Sequence, residues 1–110
     1  MTYQLKHKTI NAVYDELRYC TDVEHQAEMA YLDAKLTVEL LEANAIYDGI
    51  EGKNEAQRKA ALSQMFPDER HALDVANKQL ALAKHNAHLA QLEERRIRLH
   101  LRLRELEHTT

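Results

Sequence analysis

The chain has 110 residues, enough for one domain and short for two. Two glycines, one proline, one phenylalanine and no tryptophan stand in a background rich in Ala, Leu, Glu, Arg, Lys and Gln, which excludes a sheet-built fold and points to an all-α one. The formal charge of −3 conceals a polarity, since residues 1–50 carry −5 and residues 51–110 carry +2. That asymmetry bears on partners more than on fold.

In chain order, Met1 to His7 is expected to pack loosely, because the apolar pattern starts near Ile10. From there Ile10, Val13, Leu17, Cys20, Glu24, Ala27, Tyr31, Ala34, Val38, Leu41 and Ala45 follow a heptad, with only Glu24 breaking the seam. Such a repeat predicts a helix over 8–47 lying lengthwise against another helix. A second stripe, through Met29, Leu32, Leu36, Leu40, Ala43 and Tyr47, occupies a different face. One stripe is buried by an intramolecular partner, whereas two call for a third helix or a second chain.

Residues 48–54 contain both glycines of the protein, Gly49 and Gly52, and read as the turn on which a helical hairpin folds. Asn54 is placed to cap a short helix over 55–65, with Gln57 at the capping-box position. Pro67 suits the first position of a further helix over 67–107, and Asp68 and Glu69 suit its positive end. The seam of that helix is Leu73, Ala76, Leu80, Ala83, Ala87 and Ala90, with Ile97 and Leu101 nearby; Leu89, Leu92, Leu99, Leu103 and Leu106 line another face. The expected architecture is therefore a single domain, either an antiparallel helical hairpin or a three-helix coiled-coil-like assembly, that self-associates through Leu32, Leu36, Leu40, Leu92, Leu99, Leu103 and Leu106.

No residue pattern points to catalysis. His85 with His88, and His71 with Asp74, are spaced for one helix face but lack further ligands, so no metal is expected. The paired carboxylates suit solvated helix faces, and phosphate-loop, hydrolase-triad and helical zinc-protease motifs are absent. The reading is a non-enzyme without cofactor. Cys20, on the apolar seam, reads as a small buried hydrophobe. A lone cysteine, with no membrane-length apolar run and no signal-peptide core, suits the cytoplasm and no membrane contact.

The arginines Arg95, Arg96, Arg98, Arg102 and Arg104 form a patch for an anionic partner, and Arg95, Arg98 and Arg102 share a face. Their alternative role is to solubilise an apolar helix and pair with acids of the first helix in the same or another subunit. The tyrosines Tyr3, Tyr14, Tyr19, Tyr31 and Tyr47 all lie in the acidic half, away from the arginines, which disfavours single-strand binding by stacking.

The stretch Gly52-Lys53-Asn54-Glu55-Ala56-Gln57-Arg58-Lys59-Ala60-Ala61-Leu62, followed by an alanine-leucine helix, resembles small helical proteins of bacteriophages and prophages. The resemblance covers about half of the chain, which departs from the pattern at Phe66-Pro67-Asp68-Glu69. In that class a Gly-Lys-Asn turn recurs, often beside recombination or replication genes, so the resemblance implies a phage origin and the host bacterial cytoplasm. Gly49, Gly52, Asn54 and Arg58 are read as structural, with Arg58 reaching back to carbonyls at the end of the first helix. The expected function is an oligomeric interaction protein, such as an inhibitor, acting on host or phage DNA-processing or defence machinery. Its partner is expected to be a protein before a nucleic acid; the alternative is a DNA-binding accessory of recombination or replication using the arginine patch.

Overall fold

The structure, a computed structural model, describes residues 6–109. Met1 to Leu5, and with them Tyr3, lie outside the described residues, so the expected loose packing there concerns only Lys6 and His7, where α1 begins. The described residues form an all-α helical hairpin of α1 (His7–Asp48), α2 (Glu55–Ser63) and α3 (Pro67–Thr109), in which α1 packs against α3. The helices run a residue or two beyond the expected bounds, except that α2 ends at Ser63 and not at residue 65. Gln64 closes α2, its amide turned back to Ala61 and Leu62.

The chain divides into two compact units, one from Met1–Gln26 with Ala81–Thr110 and the other from Ala27–Leu80. In the first, Cys20, Ala87 and Ala90 form a buried cluster with Leu17 against it, and Ile97 is fully enclosed at 0% exposure. Alanines let the two helix backbones approach closely at this level. In the second unit, Val38, Ala76 and Leu80 are buried.

The heptad seams coincide with what is covered. Every seam position of α1 from Ile10 to Ala45 is buried or half-buried, as is every α3 position from Leu73 to Leu101 in the same three-four spacing. Each seam carries one acid, Glu24 on α1 and Glu94 on α3, and both are half-buried.

The linker from α1 to α2 is set by its glycines. Gly49 adopts φ +95°, the left-handed turn that stops α1, and its amide donates to the Ile46 carbonyl at 3.2 Å. Gly52 serves a different need, because a Cβ there would sit 2.9 Å from the Arg58 backbone nitrogen. Asn54 Oδ1 accepts from the Gln57 amide at 2.8 Å, while Gln57 Oε1 accepts from the Lys53 amide at 2.9 Å. This is the reciprocal arrangement of a capping box shifted by one residue at its return bond. Between α2 and α3, Phe66 takes φ +59°, strained for an aromatic residue, so that Pro67 can open α3 and the Phe66 carbonyl can accept from the Arg70 amide at 3.0 Å.

Candidate functional site

Three features have chemical character: a clamp at the α2–α3 corner, the arginine segment, and two uncovered apolar faces. The clamp belongs to the second unit and is built on Arg70. Its Nε donates to the Met65 carbonyl at 2.8 Å and its Nη2 to the Leu62 carbonyl at 2.7 Å, an acceptor that also takes the Met65 amide at 3.1 Å at the end of α2. The same Nη2 meets Glu42 Oε1 of α1 at 2.8 Å. Arg58 was expected to do such work at the end of α1, and here the structure corrects the sequence reading. The aliphatic stem of Arg58 packs beside Gly52, and among the described residues the guanidinium that holds helix-end carbonyls is that of Arg70. A cation in the first turn of a helix opposes the dipole, and that misfit at Arg70 was the signal available in the sequence.

The arginine segment belongs to the first unit. Arg98 Nε pairs with Glu94 Oε1 at 2.7 Å, and Arg96 Nη2 with Glu93 Oε1 at 2.7 Å. These acids stand on α3 itself, three and four residues before the arginines. Glu94 also accepts from the Tyr14 hydroxyl at 3.2 Å, which links this segment to α1. Arg95 and Arg102, by contrast, are exposed and enter no ion pair among the described residues. They line a shallow depression together with Arg98, Leu99, Leu101 and Glu105. Arg104 is exposed and already engaged.

Two titrating groups are shifted in this unit. The bond to Glu94, with smaller contributions from burial and the carboxylate charge, raises the Tyr14 phenol above its ordinary 10.0, against the opposing pull of Arg98. Burial, together with the bond from the Cys20 thiol to Glu16 Oε1 at 3.4 Å, raises that thiol above 9.0. A raised thiol is a poorer nucleophile, in keeping with a packing role.

The uncovered faces are the most extensive feature. On α1, Leu36 and Leu40 are each 64% exposed, with Met29 and Leu32 beside them and Tyr47 at 91% near the helix end. On α3, Leu89, Leu92, Leu99, Leu103 and Leu106 are all at least 47% exposed, and Leu82 extends the row. At about 100° per residue, Leu36 and Leu40 fall opposite the covered seam of α1, and Leu99 and Leu103 opposite that of α3. An open groove of the first unit, lined by Tyr19, Cys20, Val23 and Leu89, adjoins the α3 row.

Among the described residues no cluster of three or more His, Cys, Asp or Glu could hold a metal ion, and no helix is long and apolar enough to cross a membrane. No protein-family model, curated protein or solved structure matches the chain.

Proposed function

We propose that the chain is a non-enzymatic, phage-type interaction protein of the host bacterial cytoplasm. In this reading it works as an oligomer and binds host or phage DNA-processing or defence machinery through its polarised helical surface. The observation that carries the proposal is the pair of leucine faces left in solvent on helices whose seams are already filled. Scattered exposed leucines are ordinary on a protein surface, but a row in helical register is the pattern of a face that meets another helix. No cofactor enters this reading.

The test is the absolute mass in solution, by light scattering after size-exclusion chromatography, at low and high salt and with a short DNA duplex. An oligomer that persists in high salt and ignores DNA supports the proposal, and a monomer at every concentration overturns it.

One observation favours a second reading, a DNA-binding accessory of phage recombination or replication. Arg95 and Arg102 lie two turns apart and enter no ion pair among the described residues. Two phosphate contacts would give a salt slope of about −2 on duplex DNA. Binding that survives Arg95→Glu with Arg102→Glu would remove this surface from consideration.

A further inference from the structure

The two uncovered faces carry opposite charge along their edges. On α1, Met29, Leu32, Leu36 and Leu40 are bordered by Glu28 and Glu39, with Lys35 beside them, on one side and Asp33 on the other; the three acids are exposed and enter no ion pair among the described residues. On α3, Leu92, Leu99 and Leu103 are bordered on one edge by Arg95 and Arg102, seven residues apart, and on the other by Arg96 and Glu93, which pair with each other.

We infer that the occupant of each face is a second copy of this chain, the α1 face of one copy docking on the α3 face of another, with Glu28 and Glu39 opposite Arg95 and Arg102. The inference rests on the self-association reading above and adds to it which faces meet. Pairing α1 with α1 would set acids against acids, and antiparallel pairing of α3 with α3 would set Arg95 and Arg102 against their own copies. The crossed pairing brings apolar row to apolar row and sets the acids of α1 against these two arginines.

The experiment is sedimentation velocity over a concentration series at about 0.15 M salt, where the screening length is about 8 Å and close pairs still count. Four proteins are compared: the natural chain, Arg95→Glu with Arg102→Glu, Glu28→Lys with Glu39→Lys, and the fourfold variant carrying all of these. All altered residues are exposed, and unchanged helical circular dichroism verifies folding. Each double reversal is expected to weaken self-association by about tenfold or more, and the fourfold variant to recover to within about threefold of the natural chain. Mixing the two double reversals is expected to give a hetero-oligomer. If neither reversal changes the association constant while Leu36→Lys or Leu99→Lys still dissociates the oligomer, the crossed pairing is wrong and self-association stands. A natural chain that is monomeric throughout overturns both.

Discussion

Tyr14 shows how one side chain ties stability to pH. Its phenol is raised above 10.0 because the neutral form donates to Glu94, so the folded state holds that proton more tightly than the unfolded chain does. The resulting stabilisation is fully present below pH 10, and it is lost as pH rises through the raised value. Urea midpoints measured from pH 8 to 11 should therefore fall more steeply for the natural protein than for Tyr14→Phe, which retains Cys20 and its own alkaline contribution. Equal slopes would mean that the bond to Glu94 is not made in solution. Gly52 is a second residue-scale case, since a methyl group there would meet the Arg58 backbone nitrogen at 2.9 Å, an atom fixed by the first turn of α2. Gly52→Ala should cost about 1–2 kcal/mol by chemical denaturation. Ile97, fully enclosed, should cost more: about 2–5 kcal/mol for Ile97→Ala.

At the scale of elements, the short helix α2 has no buried residue of its own, so its position depends on what holds its ends. Asn54 and Gln57 hold the beginning and Arg70 the end, the latter reaching Glu42 of α1 as well. Both members of the Arg70–Glu42 pair have side chains about 30% exposed, whereas those of Lys78 and Asp74 are 76% and 56% exposed. The two pairs should differ in worth accordingly. Arg70→Met is expected to cost about 1–2 kcal/mol, because it removes the donor to the Met65 carbonyl and the Glu42 carboxylate and leaves Leu62 with its backbone donor alone. Lys78→Ala should change stability by less than about 0.5 kcal/mol. Hydrogen exchange makes the distinction local: amides of α2 should exchange faster in Arg70→Met while those around Ala87 keep their protection.

For the whole molecule the deciding fact is how much apolar surface the fold leaves in water. Covering several leucines on each of two faces would contribute on the order of 10 kcal/mol gross. That is the same size as the cost of about 4–15 kcal/mol for bringing two molecules together. Apolar contact alone thus gives an association near balance, and charge along the edges sets both its strength and its choice of partner. A single Leu99→Lys on the proposed oligomer should shift the mass distribution towards monomer without loss of helix content. Light scattering and circular dichroism on the same sample read both quantities.

What the sequence determined by itself was the set of helices and the side of each that is covered. The three-four spacing from Ile10 to Ala45 and from Leu73 to Leu101, with Gly49, Asn54 and Pro67 as punctuation, acts over one or two turns of chain, and local rules suffice to read it. What only the tertiary structure decided was the partner of each polar group. Tyr14 reaches Glu94 across 80 positions of sequence, and Arg70 reaches Glu42 from another helix. Such pairings depend on how two helices register against each other, which no single helical pattern specifies. The same holds for the arginines: their spacing placed Arg95, Arg98 and Arg102 on one face, but Glu94, fixed by Tyr14 in the α3 seam, is what engages Arg98, while Arg95 and Arg102 enter no ion pair among the described residues.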